Sequence, residues 1–311
     1  MGVTTPAGAA TAAPAGPPRA GPWSRASTVL WRRPWARATA LLTPPLAWFL
    51  LIYVASLVVL LITAFWTTNP FTTNIERTWT FANFSTILTT PAYRAIIART
   101  VAMAAGVTVV DAIIAIPFAY YMARIARPRT RVFLFVCMLL PLWASYLAKV
   151  FAWLLIFTHD GVLNWALGKV GIGPLNLIYT NSAVFIVFCY IWLPYMVIPV
   201  YAALERIPPS QIEASQDLGG RTWRTVRSVI LPLALPGIVA GSIFTFSLTL
   251  GDYITPQLIG GGNSLLIGNV IESNVGIANN LPLAAAMAMI PIAIMACYLL
   301  AARALGASRE I

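Results

Sequence analysis

Three ionisable residues sit within or at the ends of long apolar runs, and two more stand in the longest polar interruption of the second half. Asp111, Lys149 and Asp252 are the first group, and Glu213 and Asp217 the second. A charge at bilayer depth costs about 2.5–3.5 kcal/mol on insertion scales, so each such group needs a reason. Asp252 lies in Leu250-Gly251-Asp252-Tyr253-Ile254-Thr255-Pro256, where Gly251 and Pro256 weaken the helix around it. A carboxylate beside an aromatic at such a point suits a cation, with the Tyr253 ring adding roughly 0.5–2 kcal/mol of cation–π energy. The alternative is a solvated aspartate at the membrane interface. Glu272 is another acid on the same outward side. Counting 1.5 Å per residue puts Asp111 and Lys149 about 22 Å and 12 Å from the outer surface. A direct pair then needs a tilt or a long lysine reach. A structural pair, a snorkelling lysine and a lining for a solute pathway are the readings left open.

Catalytic groupings are nearly absent. His159 is the single histidine, beside Asp160 and Gly161, and reads as a loop residue. Cys137, Cys189 and Cys297 fall in apolar runs at spacings that fit neither a disulfide frame nor a zinc site. No GxxxxGK[ST] phosphate loop and no GxSxG elbow occurs, so any nucleotide that drives this protein is bound by another chain.

The elements that must position these groups are apolar helices. The 311 residues are 59% hydrophobic and only 9% charged, against about 25% charged in a soluble domain. The expected fold is all-α, a polytopic membrane protein of six transmembrane helices at about 41–66, 96–123, 132–157, 183–203, 233–256 and 282–304. The formal charge of +11 brings nucleic acid to mind, but the arginines cluster beside the apolar runs, as orientation signals do. Segments 1–40, 124–131, 204–232 and 303–311 hold fifteen of the 20 Lys and Arg, and the opposite side holds Arg77, Arg94, Arg99 and Lys169. Both termini are therefore expected in the cytoplasm, in a bacterial inner membrane and with no nucleic-acid partner.

Residues 1–40 are rich in Ala, Pro and Gly and read as a disordered tail, 41–306 as the permeating domain, and 307–311 as a short cytoplasmic tail. Arg32-Arg33 precede an apolar run too long for an export signal and with no small-residue cleavage site after it, so it reads as an uncleaved anchor. The connection 257–281 is partly apolar and is expected to dip inward or to form a short outer helix. Gly237 and Gly241 permit a close helix contact without naming its partner.

The segment 204–232 organises the rest. Ser210-Gln211-Ile212-Glu213 has the spacing of a capping box. Pro208-Pro209 stop the preceding helix, and Gly219-Gly220 supply a left-handed terminus. The result is a separate helix of about nine residues, roughly 14 Å long, which is too short to be stable alone.

Glu213-Ala214-Ser215, three residues, Gly219, nine residues, Val229, one residue and Leu231-Pro232 resembles the EAA motif of ABC-type importer permeases. The family pattern has alanine at position 215 and isoleucine at 229. In that family the loop is a coupling helix that docks on the ATPase subunit. The resemblance implies that Glu213, Ala214, Ser215, Asp217, Gly219, Leu231 and Pro232 shape that joint. Small residues at 214 and 215 permit close approach, and Glu213 and Asp217 lie one turn apart on one edge. Leu248 to Gly262 and Leu265 to Glu272 resemble the spermidine/putrescine permease branch, in which Asp252, Tyr253, Asp111 and Glu272 would line a polycation's route. Permeases for opines, amino acids or iron complexes share parts of these stretches. A secondary transporter or a membrane enzyme is the alternative from another class. The partners implied are an ABC ATPase dimer carrying ATP-Mg, a second permease subunit, an extracytoplasmic solute-binding protein and the lipid bilayer. No cofactor is expected in this chain.

Overall fold

The computed structural model describes residues 34–69, 72–218 and 220–304. Most of the expected N-terminal tail, the expected C-terminal tail and Gly219 lie outside them. Among the described residues, six helical stretches are long and apolar enough to cross a membrane: Leu41–Thr63, Pro91–Ile125, Tyr146–Lys169, Asn181–Arg206, Trp223–Gly251 and Leu281–Arg303. The described residues divide into two compact units, one up to Val59 and one from Leu60 on.

The described part of the first unit is helical. α1 (Pro34–Trp48) passes through a π-helical turn, Phe49–Val54, into α2 (Ala55–Thr63), whose last residues, from Leu60, belong to the second unit. Its described side chains from Leu41 to Val59 are all exposed, which suits a helix clothed by lipid or by another subunit.

In the second unit a two-residue antiparallel pair, β1 (Thr67–Thr68) and β2 (Ile75–Glu76), leads to α3 (Ala82–Thr89). Phe65, Phe81 and Phe84 pack as a ring cluster with centroids 5.2–6.3 Å apart. α4 (Pro91–Tyr120) ends in a π stretch, Tyr121–Ile125, and α5 (Pro128–Trp143) and α6 (Tyr146–Phe157) follow. α7 (Val162–Lys169) is held by Asn164, whose side chain bonds the carbonyls of Thr158 and Leu175, both at 3.2 Å. Then come α8 (Asn181–Arg206), α9 (Pro209–Asp217) and the short α10 (Thr222–Thr225). α10 runs on through a π stretch, Val226–Ile230, into α11 (Leu231–Gly251). A π turn (Pro256–Gly260) and a 3-10 turn (Gly261–Ser264) precede α12 (Ile267–Gly276) and α13 (Leu281–Ala304).

The third expected span, 132–157, is not one helix. Pro141 removes a backbone donor near the end of α5, and Ala144 and Ser145 are extended before α6 starts. The fifth also ends early, at Gly251 rather than 256, because Asp252 adopts an extended backbone (ψ 132). The connection after it forms a short helix, α12, whose first residues, Ile267 to Val270, are buried against the bundle, as an inward dip requires.

α4, α8 and α11 form the centre of this unit. Gly237 and Gly241 are the close-approach points of α11 on α8. A methyl at Gly237 would meet the Pro199 carbonyl and the Ala203 methyl at 2.5 Å, and one at Gly241 would meet Met196. Their helical spacing therefore has a defined partner. One apolar cluster gathers Val107, Val187, Phe188 and Trp192 with Ile259 and Leu266, and a second gathers Ala115, Ala119, Met196 and Val200 with Ala234. On α4, Asp111 lies one turn from each cluster, between Val107 and Ala115.

Candidate functional site

α8 ends at Arg206, and Pro208-Pro209 turn the chain. A residue before proline is driven extended, as Pro208 is (φ −63, ψ 135), and a proline at the first helical position loses no hydrogen bond. α9 therefore starts at Pro209. The capping box expected at Ser210 and Glu213 is absent, because Ser210 already lies inside the first turn and no side chain caps the helix.

Glu213, Ala214 and Asp217 are exposed, and Leu218 is 89% exposed at the helix end. Among the described residues neither acid forms an ion pair. Ile212 faces inward against the second apolar cluster. Ser215 also turns inward: its hydroxyl lies 3.0 Å from that of Thr225, which is 2% exposed. Of the two small residues expected on the docking face, only Ala214 is freely presented. The departure from alanine at 215 thus has a use, since it ties α9 to α10.

Gly220 donates its N–H to the Ser215 carbonyl at 2.9 Å, and a methyl there would collide with that oxygen. Its φ is not positive, so the expected left-handed terminus does not fall on Gly220, and Gly219 lies outside the described residues. Leu231 and Pro232 open α11 straight after the π stretch. Pro232 has no N–H to offer the carbonyl a turn earlier, which fits a widened turn there. Ala214, Ser215, Leu218, Arg224 and Ser228 are among the residues lining a cleft of about 510 Å³ beside α9.

Two arginines fix this corner. Arg124 donates from Nη2 to the Leu204 carbonyl at 2.6 Å and to the Ile207 carbonyl at 2.5 Å. Arg131 donates to the carbonyls of Met122 and Ala123 at 2.9 and 3.0 Å and lies 3.8 Å from Glu205. The sequence pattern accounts for both as orientation signals alone. Their position just beyond an apolar run, where orphan helix carbonyls collect, was the available signal.

The second place of interest is the break after α11. Asp252 is only 9% exposed, so it is not a solvated interfacial aspartate. One carboxylate oxygen accepts from the N–H groups of Ile254 (2.9 Å) and Thr255 (3.3 Å), capping the turn that follows. The other accepts from the Thr255 hydroxyl at 3.0 Å and from the Tyr146 phenol. Tyr146 in turn stacks on Trp192, with centroids 6.1 Å apart. The aromatic engaged with Asp252 is thus Tyr146, while Tyr253 is 40% exposed. Asn269 donates to the Tyr253 carbonyl at 2.7 Å and Thr100 accepts from Ile267 at 3.0 Å, which lock α12 beneath the break.

The other candidates are not gathered there. Asp111 is fully buried, makes no conventional hydrogen bond and faces the Cys189 thiol. Lys149 is half-buried in α6, lining a cavity of about 360 Å³ with Ala148, Trp153 and Tyr190. Among the described residues no ion pair joins it to Asp111. Glu272 is half-buried on α12, one turn beyond Gly268, which packs on the Asp252 carbonyl. The three carboxylates do not bond one another. Among the described residues no group of three or more His, Cys, Asp or Glu is placed to hold a metal.

The fold agrees with a bacterial ABC transporter that imports the acidic polysaccharide alginate: TM-score 0.73, 17% identity, covering 92% of this chain and 100% of that one. The same kind of transporter in complex with its alginate pentasaccharide-bound periplasmic protein gives 0.72 at 18% identity, covering 87% and 93%. Residues 112–310 match the family described as binding-protein-dependent transport system inner membrane component, and the chain belongs to that family. The inner membrane ABC transporter permease protein YdcU of Escherichia coli (strain K12) is 45% identical over 296 residues, 91% of this chain and 94% of that protein. The spermidine/putrescine transport system permease protein PotB of Haemophilus influenzae is 32% identical over 212 residues, 68% of this chain and 73% of its own length. PotB of Escherichia coli (strain K12) is 31% identical over 200 residues, 64% and 72%. The chain is thus a multi-pass permease subunit of an ABC importer in the inner membrane, a translocating subunit and not an enzyme.

Proposed function

We propose that this subunit moves polyamines inward, in an assembly with an ABC ATPase dimer, a second permease subunit and an extracytoplasmic solute-binding protein. The observation that carries the coupling half is α9. It stands at the end of the bundle with Glu213, Ala214 and Asp217 exposed on one side and Ile212 and Ser215 anchored on the other. A handle needs both a free face and a fixed one. Closure of the ATPases would move α9, and the bundle would rock between outward-open and inward-open states. Glu213, Ala214, Asp217 and Gly219 would meet the ATPase, with Ser215, Leu231 and Pro232 setting the shape of the joint. The excess of Lys and Arg on the α9 side supports placing both termini in the cytoplasm.

The PotB relatives support the choice of solute. In the pathway, Tyr253 and Glu272 would be reached first by an incoming cation, and Asp252 would attract it from within the wall. Asp111, buried deeper, would lend the interior its acceptor. Uptake of labelled spermidine by the reconstituted complex with its binding protein tests the solute. Saturable ATP-dependent uptake, displaced by putrescine and not by an amino acid, is the expected result. Displacement by an amino acid, an opine or an iron chelate instead would reassign the cargo.

A further inference from the structure

We infer that Arg124 is a positioning residue for energy coupling, holding the α8–α9 corner to the end of α4. The inference rests on the reading of α9 as the ATPase handle. The last carbonyls of a helix are short of partners, and the guanidinium of Arg124 takes that of Leu204, which otherwise accepts only a long 3.4 Å bond from the Ile207 N–H, together with that of Ile207 on the far side of the helix end. One side chain therefore grips the corner on both sides of the point where α8 stops. A cation at a helix C-terminus is also favoured by the helix dipole.

The grip is closed by a second one. Arg131, at the start of α5, bonds the carbonyls of Met122 and Ala123 in the π stretch that carries Arg124. It also approaches Glu205, which accepts from Tyr201 at 3.0 Å. The α4–α5 hairpin and the α8–α9 corner are thus clasped twice. α9 is joined covalently to α8 and, through α10, to α11, but nothing in the chain path ties it to α4. Beside the apolar packing of Ile212 on the cluster that holds Ala115 and Ala119, Arg124 adds a directed polar link, so a displacement of α9 is passed to the end of α4 as well as to α8 and α11. Arg127, just before α5, and Arg129, in its first turn, are exposed and carry the same charge, so they serve as controls.

The test uses the whole complex in proteoliposomes, with native cysteines replaced and Tyr253→Cys added as a reporter at the far end of the bundle. Labelling by a membrane-impermeant maleimide is followed with and without ATP and vanadate. In the parent complex the trapped nucleotide changes the labelling rate. Arg124→Ala should still co-purify with the ATPase and hydrolyse ATP, with the nucleotide-dependent change reduced about tenfold, the scale of coupling between sites. Arg124→Lys, which keeps the charge but not the planar fork, should recover it only in part. Arg127→Ala and Arg129→Ala should match the parent. An unchanged response in Arg124→Ala, or full recovery with lysine, would overturn the inference. So would failure of both variants to assemble, which would make the arginine a folding element only. Glu213→Lys separates the two levels. If it too leaves the response unchanged, the handle itself is wrong; if it abolishes the response while Arg124→Ala does not, only the clasp is wrong.

Discussion

The Tyr146 phenol donates its hydrogen to the Asp252 carboxylate, and this one bond joins the two breaks in the bundle, between α5 and α6 and after α11. Discontinuous helices in transporters cluster at the solute pathway, since irregular backbone at membrane depth is tolerated only inside protein or along a cavity. Tyr146 and Asp252 place both breaks in one spot. Thr255 completes the cluster, with its hydroxyl 2.6 Å from the phenol.

Tyr146→Phe removes one donor from a buried carboxylate that keeps three others. The expected loss is about 1–3 kcal/mol of stability, read as a lower melting temperature in detergent, with the half-saturating solute concentration unchanged. Asp252→Asn removes the charge and should raise that concentration about tenfold, equivalent to roughly 1.4 kcal/mol. Uptake kinetics on both variants separate the roles. Equal affinity in wild type and Asp252→Asn would leave Asp252 as a helix cap alone.

Gly237→Ala should destabilise the subunit by about 1–3 kcal/mol, as overpacking does in a tight interior, because the added methyl meets Pro199 and Ala203 at 2.5 Å. Gly251→Ala meets nothing within 4 Å and should melt within about 0.5 kcal/mol of wild type, as surface changes do. The two melting curves, compared side by side, check whether α11 is seated on α8 at these glycines.

Much of this was legible in the residues, for physical reasons. Long apolar runs, the flanking arginines and the spacing from Glu213 to Pro232 depend only on local sequence, and five of the six spans and the family follow from them. The Asp252 break was also readable, because Gly251 and Pro256 bracket it. Tyr146 as its partner was not, since the two lie 106 residues apart and only packing brings them together. The division of the third run had a signal in Pro141 that its unbroken hydrophobicity hid. Arg124 and Arg131 were concealed differently: the charge asymmetry accounts for their presence without distinguishing an arginine that binds carbonyls from one that faces solvent. The capping box failed because Pro209 is a better first helical residue than Ser210 is a cap.

Ser215→Ala restores the family's alanine and should remain able to transport. It leaves the Thr225 hydroxyl, 2% exposed, without its partner, at about 1–3 kcal/mol. Limited proteolysis in the 218–226 segment should therefore quicken while ATP-driven uptake stays within about twofold, the margin left by a change remote from the contact face. Loss of uptake with unchanged proteolysis would instead place Ser215 on the docking surface.

Contact between α9 and a separate ATPase is the claim on which the transport reading stands. A photoreactive amino acid at Ala214, in the native membrane complex, reports it without any transport assay. The account expects an ATPase subunit as the main cross-linked product, in a yield that changes with bound nucleotide, and little of it from the same probe at Arg127. Equal yields at the two positions, or no ATPase captured at Ala214, would contradict it.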